Sequence, residues 1–331
     1  MVPLQSGDAE QGARRASGSW GRAVSLTPLE LPGWVEFNAW RTGLTPHRFA
    51  YAATPDGPEV RAVLYLDRRG RVRLPPSNHF LPVVFRSARQ SSSGRTADWL
   101  RAAAPLVEEM RRRGVPAPVK MPPDIADVRP WGWRGFRIGV GYAYLLDFPY
   151  DPALADRGVR RNCEKATRLG MTVERVRDVD LVAACLREVE SRKRFSRLLG
   201  PRELRAADSL LGPDSLRMYA CLDRHGQAAS ACVTIHVPGT RAIAWLAGTK
   251  TAFLPTGANH LLKRYQIDDL CAAGAAGIDF GATDARELAR FKSSWGLRLT
   301  PAYNVCTYSL RGAAGYLKRW LYSRGESDTA F

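Results

Sequence analysis

The chain has 331 residues, 45% of them hydrophobic, which gives length for two separate cores and excludes a disordered polymer. It carries 49 Lys and Arg against 32 Asp and Glu, a net charge of +17 spread along the chain rather than held in a tail. A polyanionic partner and a merely solvated arginine-rich surface both fit that excess.

No apolar run approaches transmembrane length, and the first 22 residues lack the apolar stretch of a secretory signal. Six cysteines form no CxxC pair and no Cys/His zinc spacing, so reduced, buried thiols in a cytoplasmic protein are expected.

Residues 1–23 read as a flexible leader and 24–150 as a first α/β lobe. Apolar residues at 34–40 suggest a short helix or an entry segment, and 49–53 a strand. Two alternating segments, 61–66 and 71–74, flank the turn Asp67-Arg68-Arg69-Gly70 and predict a hairpin. Ser91-Ser92-Ser93-Gly94 reads as a loop, and 97–113 as an amphipathic helix with Leu100, Ala104, Val107 and Met110 on one face, closed by Gly114. A strand follows at 119–121, then aromatic-rich segments at 127–136 and 141–147 that suit either an acceptor site or core packing, and 148–152 is the expected junction.

A second lobe is expected over 151–324, with 325–331 a loose tail. It opens on a basic helix ending at Gly170, then a strand at 171–176 and a helix at 181–190. Residues 157–205 hold 14 basic and 7 acidic positions, a density that suits phosphate binding or a solvated helix face. Paired strands at 216–222 and 227–236 lead to a strand at 243–247, a turn-rich loop at 248–257, and a helix from Asn259 with Leu261, Leu262, Tyr265, Ile267 and Leu270 at helical spacing. Ile278-Asp279-Phe280-Gly281 reads as a short buried strand, followed by a polar loop, the basic-aromatic string 290–296, a last strand at 304–310 and a closing helix at 315–323. A helix start and a strand end facing one cleft would suit acyl transfer.

Four pieces of this lobe carry a family resemblance by their order and spacing: Ala247-Gly248-Thr249, Gly257-Ala258-Asn259-His260, Ile278-Asp279-Phe280-Gly281, and Phe291-Lys292 followed by Trp295-Gly296. Across about residues 25–315 the chain resembles the Fem-type aminoacyl-tRNA:peptidoglycan transferases of the GNAT superfamily. The resemblance implies an α/β (α+β) fold of two tandem GNAT-like lobes, with mixed sheets flanked by helices. It also implies transfer of an amino acid from aminoacyl-tRNA to an amine of a peptidoglycan precursor or a peptide-like natural product, with the tRNA as co-substrate and no other cofactor.

By the same resemblance Lys292 is the catalytic lysine, stabilising the oxyanion, with Phe291 and Trp295 shaping the pocket. Ser191 and Arg194 fit the pattern that holds an acceptor phosphate, and Arg160, Arg161 and Lys165 are further candidates, with the actual contacts left open among them. Asn259, Asp279 and Tyr303 complete the expected substrate-binding set. Some family members place an acid before a proline near residue 120, where this chain reads Lys120-Met121-Pro122-Pro123, so the general base is unassigned. The rival expectation is an acyl-CoA-dependent N-acyltransferase. Against it, the loop Phe253-Leu254-Pro255-Thr256-Gly257-Ala258-Asn259 offers one Gly and lacks the leading Gln or Arg of a pyrophosphate-binding loop.

Overall fold

The computed structural model describes residues 26–52, 54, 57–193, 199–281 and 286–307. Arg194, the leader, the closing helix expected at 315–323 and the tail lie outside them.

In chain order the elements are α1 (Pro32–Thr42), β1 (Thr45–Ala52), β2 (Glu59–Leu66), β3 (Val72–Arg73), β4 (Val83–Arg86), α2 (Ser92–Arg113), β5 (Val119–Lys120), α3 (Arg129–Gly132) and β6 (Phe136–Asp147). They continue with α4 (Arg157–Arg168), β7 (Thr172–Val176), α5 (Val179–Lys193), α6 (Pro201–Ser215), β8 (Leu216–Leu222), β9 (Ala228–Ile235) and β10 (Arg241–Thr249). The series ends with α7 (Ala258–Ala272), β11 (Gly277–Asp279), α8 (Arg286–Ser293) and β12 (Arg298–Thr307). Mixed sheets flanked by helices make this the α/β class expected from the sequence.

The chain forms two compact units that interleave along the sequence: one takes 42–141 and 302–331, the other 26–41 and 142–301. In the first, β1, β3 and β4 all pair with β2, which is buried along most of its length. The Asp67 turn closes as expected, with Gly70 N–H donating to Asp67 O at 2.8 Å. Against this sheet α2 lays Trp99, Ala102, Ala103, Leu106, Val107 and Met110, a stripe at i, i+3, i+4, i+7 spacing. That stripe is rotated from the expected one, so Leu100 and Ala104 sit at its margin. The helix also starts earlier than expected, because Ser91 is its N-cap, accepting from Gly94 N–H at 3.2 Å, and Ser92-Ser93-Gly94 is its first turn rather than a loop. Tyr303, on β12, packs against this core, and its carbonyl accepts from Met121 N–H at 2.7 Å.

In the second unit the order is β11-β10-β9-β8-β7, with the last residues of β6 antiparallel to β11. The β10–β11 pair is parallel and joined by α7, a βαβ crossover. Residues 26–41 belong here because α1 buries Trp34 and Phe37 against Trp245 of β10, with ring centroids 4.9 and 5.6 Å away. A β-carbon on Gly33 would stand 2.1 Å from Leu210 O, so only glycine allows α1 its approach to α6.

Candidate functional site

Two parallel strands that part company define the site. β10 pairs with β11 over only three residues, Arg241 to Ile243 against Gly277 to Asp279. Beyond that point β10 runs on along β9 to Thr249, past a register shift at Trp245. The chain after β11 turns instead to Tyr144: Phe280 N–H donates to Tyr144 O at 2.9 Å, and Tyr144 N–H to Gly281 O at 3.3 Å. A strand end and the start of the crossover helix thus face the same gap, the usual place for a ligand in such sheets.

Asp279 and Lys292 fasten the β11 end of the gap. The Asp279 carboxylate is buried and accepts from Gly281 N–H at 2.5 Å, shaping the turn out of the strand. Lys292 is 7% exposed, and its Nζ donates to Phe280 O at 2.6 Å and Gly281 O at 3.0 Å, with the Tyr144 ring 5.7 Å away. The sequence reading placed this lysine in a loop; it stands on the last turn of α8, which is how its side chain is aimed at one strand end. A second lysine flanks Phe280. Lys263 of α7 donates to Gln266 Oε1 at 2.6 Å and lies 4.7 Å from the Phe280 ring centroid, its pKa lowered by burial.

Three rings, from α7, α8 and the turn after α8, meet beside these lysines. His260 on the first turn of α7 stands 5.3 Å from Phe291 and 6.2 Å from Trp295, near parallel to the latter at 21°. Trp295 is held from both sides: its carbonyl accepts from Tyr150 OH at 2.9 Å, and Gly296 packs so tightly on Leu154 that a β-carbon would lie 2.7 Å from Leu154 O. The Trp295 indole N–H is buried with no partner among the described residues. Burial also depresses the pKa of His260, so its imidazole is neutral at pH 7.

The loop between β10 and α7 is closed by its own contacts. Thr251 to Thr256 forms a 3-10 turn. Thr251 N–H donates to Glu188 Oε1 at 2.5 Å, Phe253 N–H to Lys250 O at 3.0 Å, and Ala258 N–H to Thr256 Oγ1 at 3.3 Å. Cations brace it from the neighbouring helices: Lys165 Nζ reaches Pro255 O at 2.7 Å, and Arg192 reaches Thr249 O at 3.1 Å and Thr251 Oγ1 at 3.0 Å. Gly257, with φ +87°, lets α4 sit directly on the loop.

Of the expected site residues, Asp279, Phe291, Lys292 and Trp295 come together at the β11 end of the gap, while Asn259 lies on the first turn of α7. Arg160, Arg161 and Lys165 lie exposed on α4, whose inner face is Val159 and Ala166. Arg160 also donates to Ala155 O at 2.6 Å. Ser191 is exposed near the end of α5, beside Arg192. Tyr303 belongs to the first unit. Sequence reasoning missed His260, Lys263, Glu188 and Arg192. His260 stands in the quoted Gly257-Ala258-Asn259-His260 piece without a role, and Lys263 left a trace as a charge between two apolar positions of a helix face.

Among the described residues no group of His, Cys, Asp and Glu is arranged to hold a metal ion, and no helix is long and apolar enough to cross a membrane.

Residues 155–293 match the model of the acetyltransferase (GNAT) domain family. Together with the parted parallel strands and crossover helix, this match gives residues 155–293 a GNAT-type fold. Among solved structures it is similar to FemX, at 13% identity and a TM-score of 0.60, covering 83% of this chain and 91% of that one. It is also similar to the C-terminal domain of a putative lysylphosphatidylglycerol synthetase from Agrobacterium fabrum, at 14% identity and a TM-score of 0.52, covering 82% and 87%. The fold is thus the Fem-type arrangement of GNAT expected from the sequence. Comparison with curated proteins by sequence finds no match.

Proposed function

We propose that this protein moves an amino acid from aminoacyl-tRNA to an amine of an acceptor, forming an amide bond. The observation that carries the donor assignment is the loop before α7. A loop that cradles the pyrophosphate of an acyl-CoA must present open backbone N–H groups. Here those of Thr251, Phe253 and Ala258 are occupied, and one of the acceptors is the Glu188 carboxylate, an anion where a pyrophosphate would need cations. The loop's neighbouring cations Lys165 and Arg192 are taken up by its carbonyls and the Thr251 hydroxyl, and Arg161 on α4 is exposed beside it, as a tRNA backbone requires.

An aminoacyl ester is already activated, so the enzyme has to align the amine with the carbonyl and stabilise the oxyanion. We assign the second task to the charge of Lys292, fixed at the mouth of the gap by Phe280 O and Gly281 O. Phe291 and Trp295 form the apolar wall beside it. Asn259 and Asp279 contribute to the same substrate pocket, Asn259 from the first turn of α7 and Asp279 through the turn it holds. The acceptor amine belongs to a peptidoglycan precursor or a peptide-like natural product. Acyl-CoA-dependent N-acylation is the second reading, favoured by the GNAT domain match.

Binding separates the two. Uncharged bulk tRNA should bind the protein with an affinity that falls steeply with salt, while acetyl-CoA shows no saturable binding by calorimetry. Arg161→Glu should weaken tRNA binding and reduce the salt slope by about 1. Saturable acetyl-CoA binding without RNA binding would reverse the donor assignment.

A further inference from the structure

The site contains a base that neither the sequence pattern nor the donor chemistry required. We propose that His260 takes the proton from the attacking amine, and that the acceptor's ammonium group is received in the ring box of His260, Phe291 and Trp295. This inference rests on the reading of the site as one that acylates an amine, whichever donor supplies the acyl group.

Geometry carries the argument. An amine arrives at neutral pH as an ammonium ion, and it must lose a proton before it can attack. Aromatic rings attract an ammonium, and Phe291 and Trp295, edge to face with centroids 6.4 Å apart, both stand beside the imidazole. His260 sits on the first turn of α7, a 15-residue helix whose N-terminal dipole opposes a permanent positive charge there. Neither imidazole nitrogen makes a hydrogen bond to a described residue, so both are open to a ligand. The second, independent observation is the Trp295 indole N–H, in a residue 2% exposed, which has no acceptor among the described residues. A buried donor of this kind normally has a partner, and the carbonyl of a bound substrate would supply one.

Titratable groups on these elements include Lys263 and Arg264 on α7, Lys292 on α8, and Arg161, Cys163 and Lys165 on α4. None of them sets its titration, which is shifted by burial alone. It is therefore a neutral acceptor of protons throughout the physiological range.

The step balances as follows. The imidazole accepts one ammonium proton, and the freed nitrogen lone pair forms the C–N bond to the ester carbonyl carbon. The C–O bond to the ribose then breaks, and the departing oxygen takes the second proton from nitrogen. The products are an amide and a free ribose hydroxyl, and the imidazolium returns one proton to water.

The test uses glycinamide as the probe amine and bulk charged tRNA or acetyl-CoA as the donor, over pH 5.5 to 9. His260→Gln should lower transfer to glycinamide by about 100-fold or more and remove the acid limb of the pH profile, with an unchanged melting temperature. Glycinamide should also slow carbethoxylation of His260 in the wild-type protein, followed by mass spectrometry. Unchanged rate and profile in His260→Gln would overturn the proposal. If neither donor reacts, the protection experiment decides: absence of protection overturns the amine site, whereas protection without transfer from tRNA keeps it and rejects the donor reading.

Discussion

Replacing Lys292 by Met removes the donor of two buried carbonyls, Phe280 O and Gly281 O, as well as a fixed charge. We predict that Lys292→Met loses about 1–3 kcal/mol of stability and lowers turnover by orders of magnitude. Chemical denaturation and single-turnover rates on the same variant separate the two effects, and wild-type turnover in a weakened fold would make the residue purely structural. Thiol reactivity offers a simpler check at this scale. Burial pushes Cys185 and Cys232 up to about 11 and Cys221 to about 12, whereas Cys271 is exposed. Iodoacetamide at pH 8 should label Cys271 within minutes and leave those three untouched until the protein unfolds. Fast labelling of Cys232 would contradict its burial in the sheet.

The packing of α4 against α7 depends on one glycine. A β-carbon at Gly257 would stand 2.1 Å from Asn162 O, and φ there is +87°. Gly257→Ala should therefore cost more than about 1 kcal/mol and loosen the loop that Lys165 and Arg192 brace, seen as faster amide exchange at 250–257. Near-wild-type stability would mean that the two helices can separate without penalty.

Much at this scale was legible in the sequence, because β8, β9, β10 and α7 carry strong patterns bounded by glycines. Other elements were hidden for physical reasons. Helix α6 begins on Pro201 and is kinked at Gly212 before Pro213, and these breaks leave its stretch without an assignment from sequence. Only eight residues long, α8 is largely polar, and its helical state is set by where Lys292 and Phe291 must pack rather than by periodicity. The base and the loop braces were invisible for a different cause: His260, Glu188 and Arg192 act across elements distant in sequence, which no local pattern records.

At the scale of the whole molecule, acid should unfold this protein earlier than its carboxylates alone would. His47, His236 and His260 all have pKa values lowered in the fold, by burial first and, for His236 and His47, by neighbouring arginines as well. In the unfolded chain they bind protons near pH 6.5, so the unfolded state takes up more protons below that value. The stability from keeping them neutral is thus complete above about pH 6.5 and is lost as pH falls through the folded values. A melting temperature that declines from pH 7 to pH 5, and declines less in His236→Gln, is the expected result; a flat profile over that range would contradict it.

Interleaving of the chain between the two units means that neither a cut at residue 41 nor one at 141 yields a complete core. The GNAT domain match confines the expected chemistry to the second unit, where the parted strands, Lys292 and the ring box lie. The claim on which the functional account turns is the donor, and transfer itself tests it most directly. The protein would be given a bulk charged-tRNA pool, one labelled amino acid at a time, with peptidoglycan precursor or a cell extract as acceptor, with and without ribonuclease, beside labelled acetyl-CoA. The account predicts ribonuclease-sensitive passage of label from tRNA into a small amide product and none from acetyl-CoA. Transfer from acetyl-CoA alone, unaffected by ribonuclease, would contradict it.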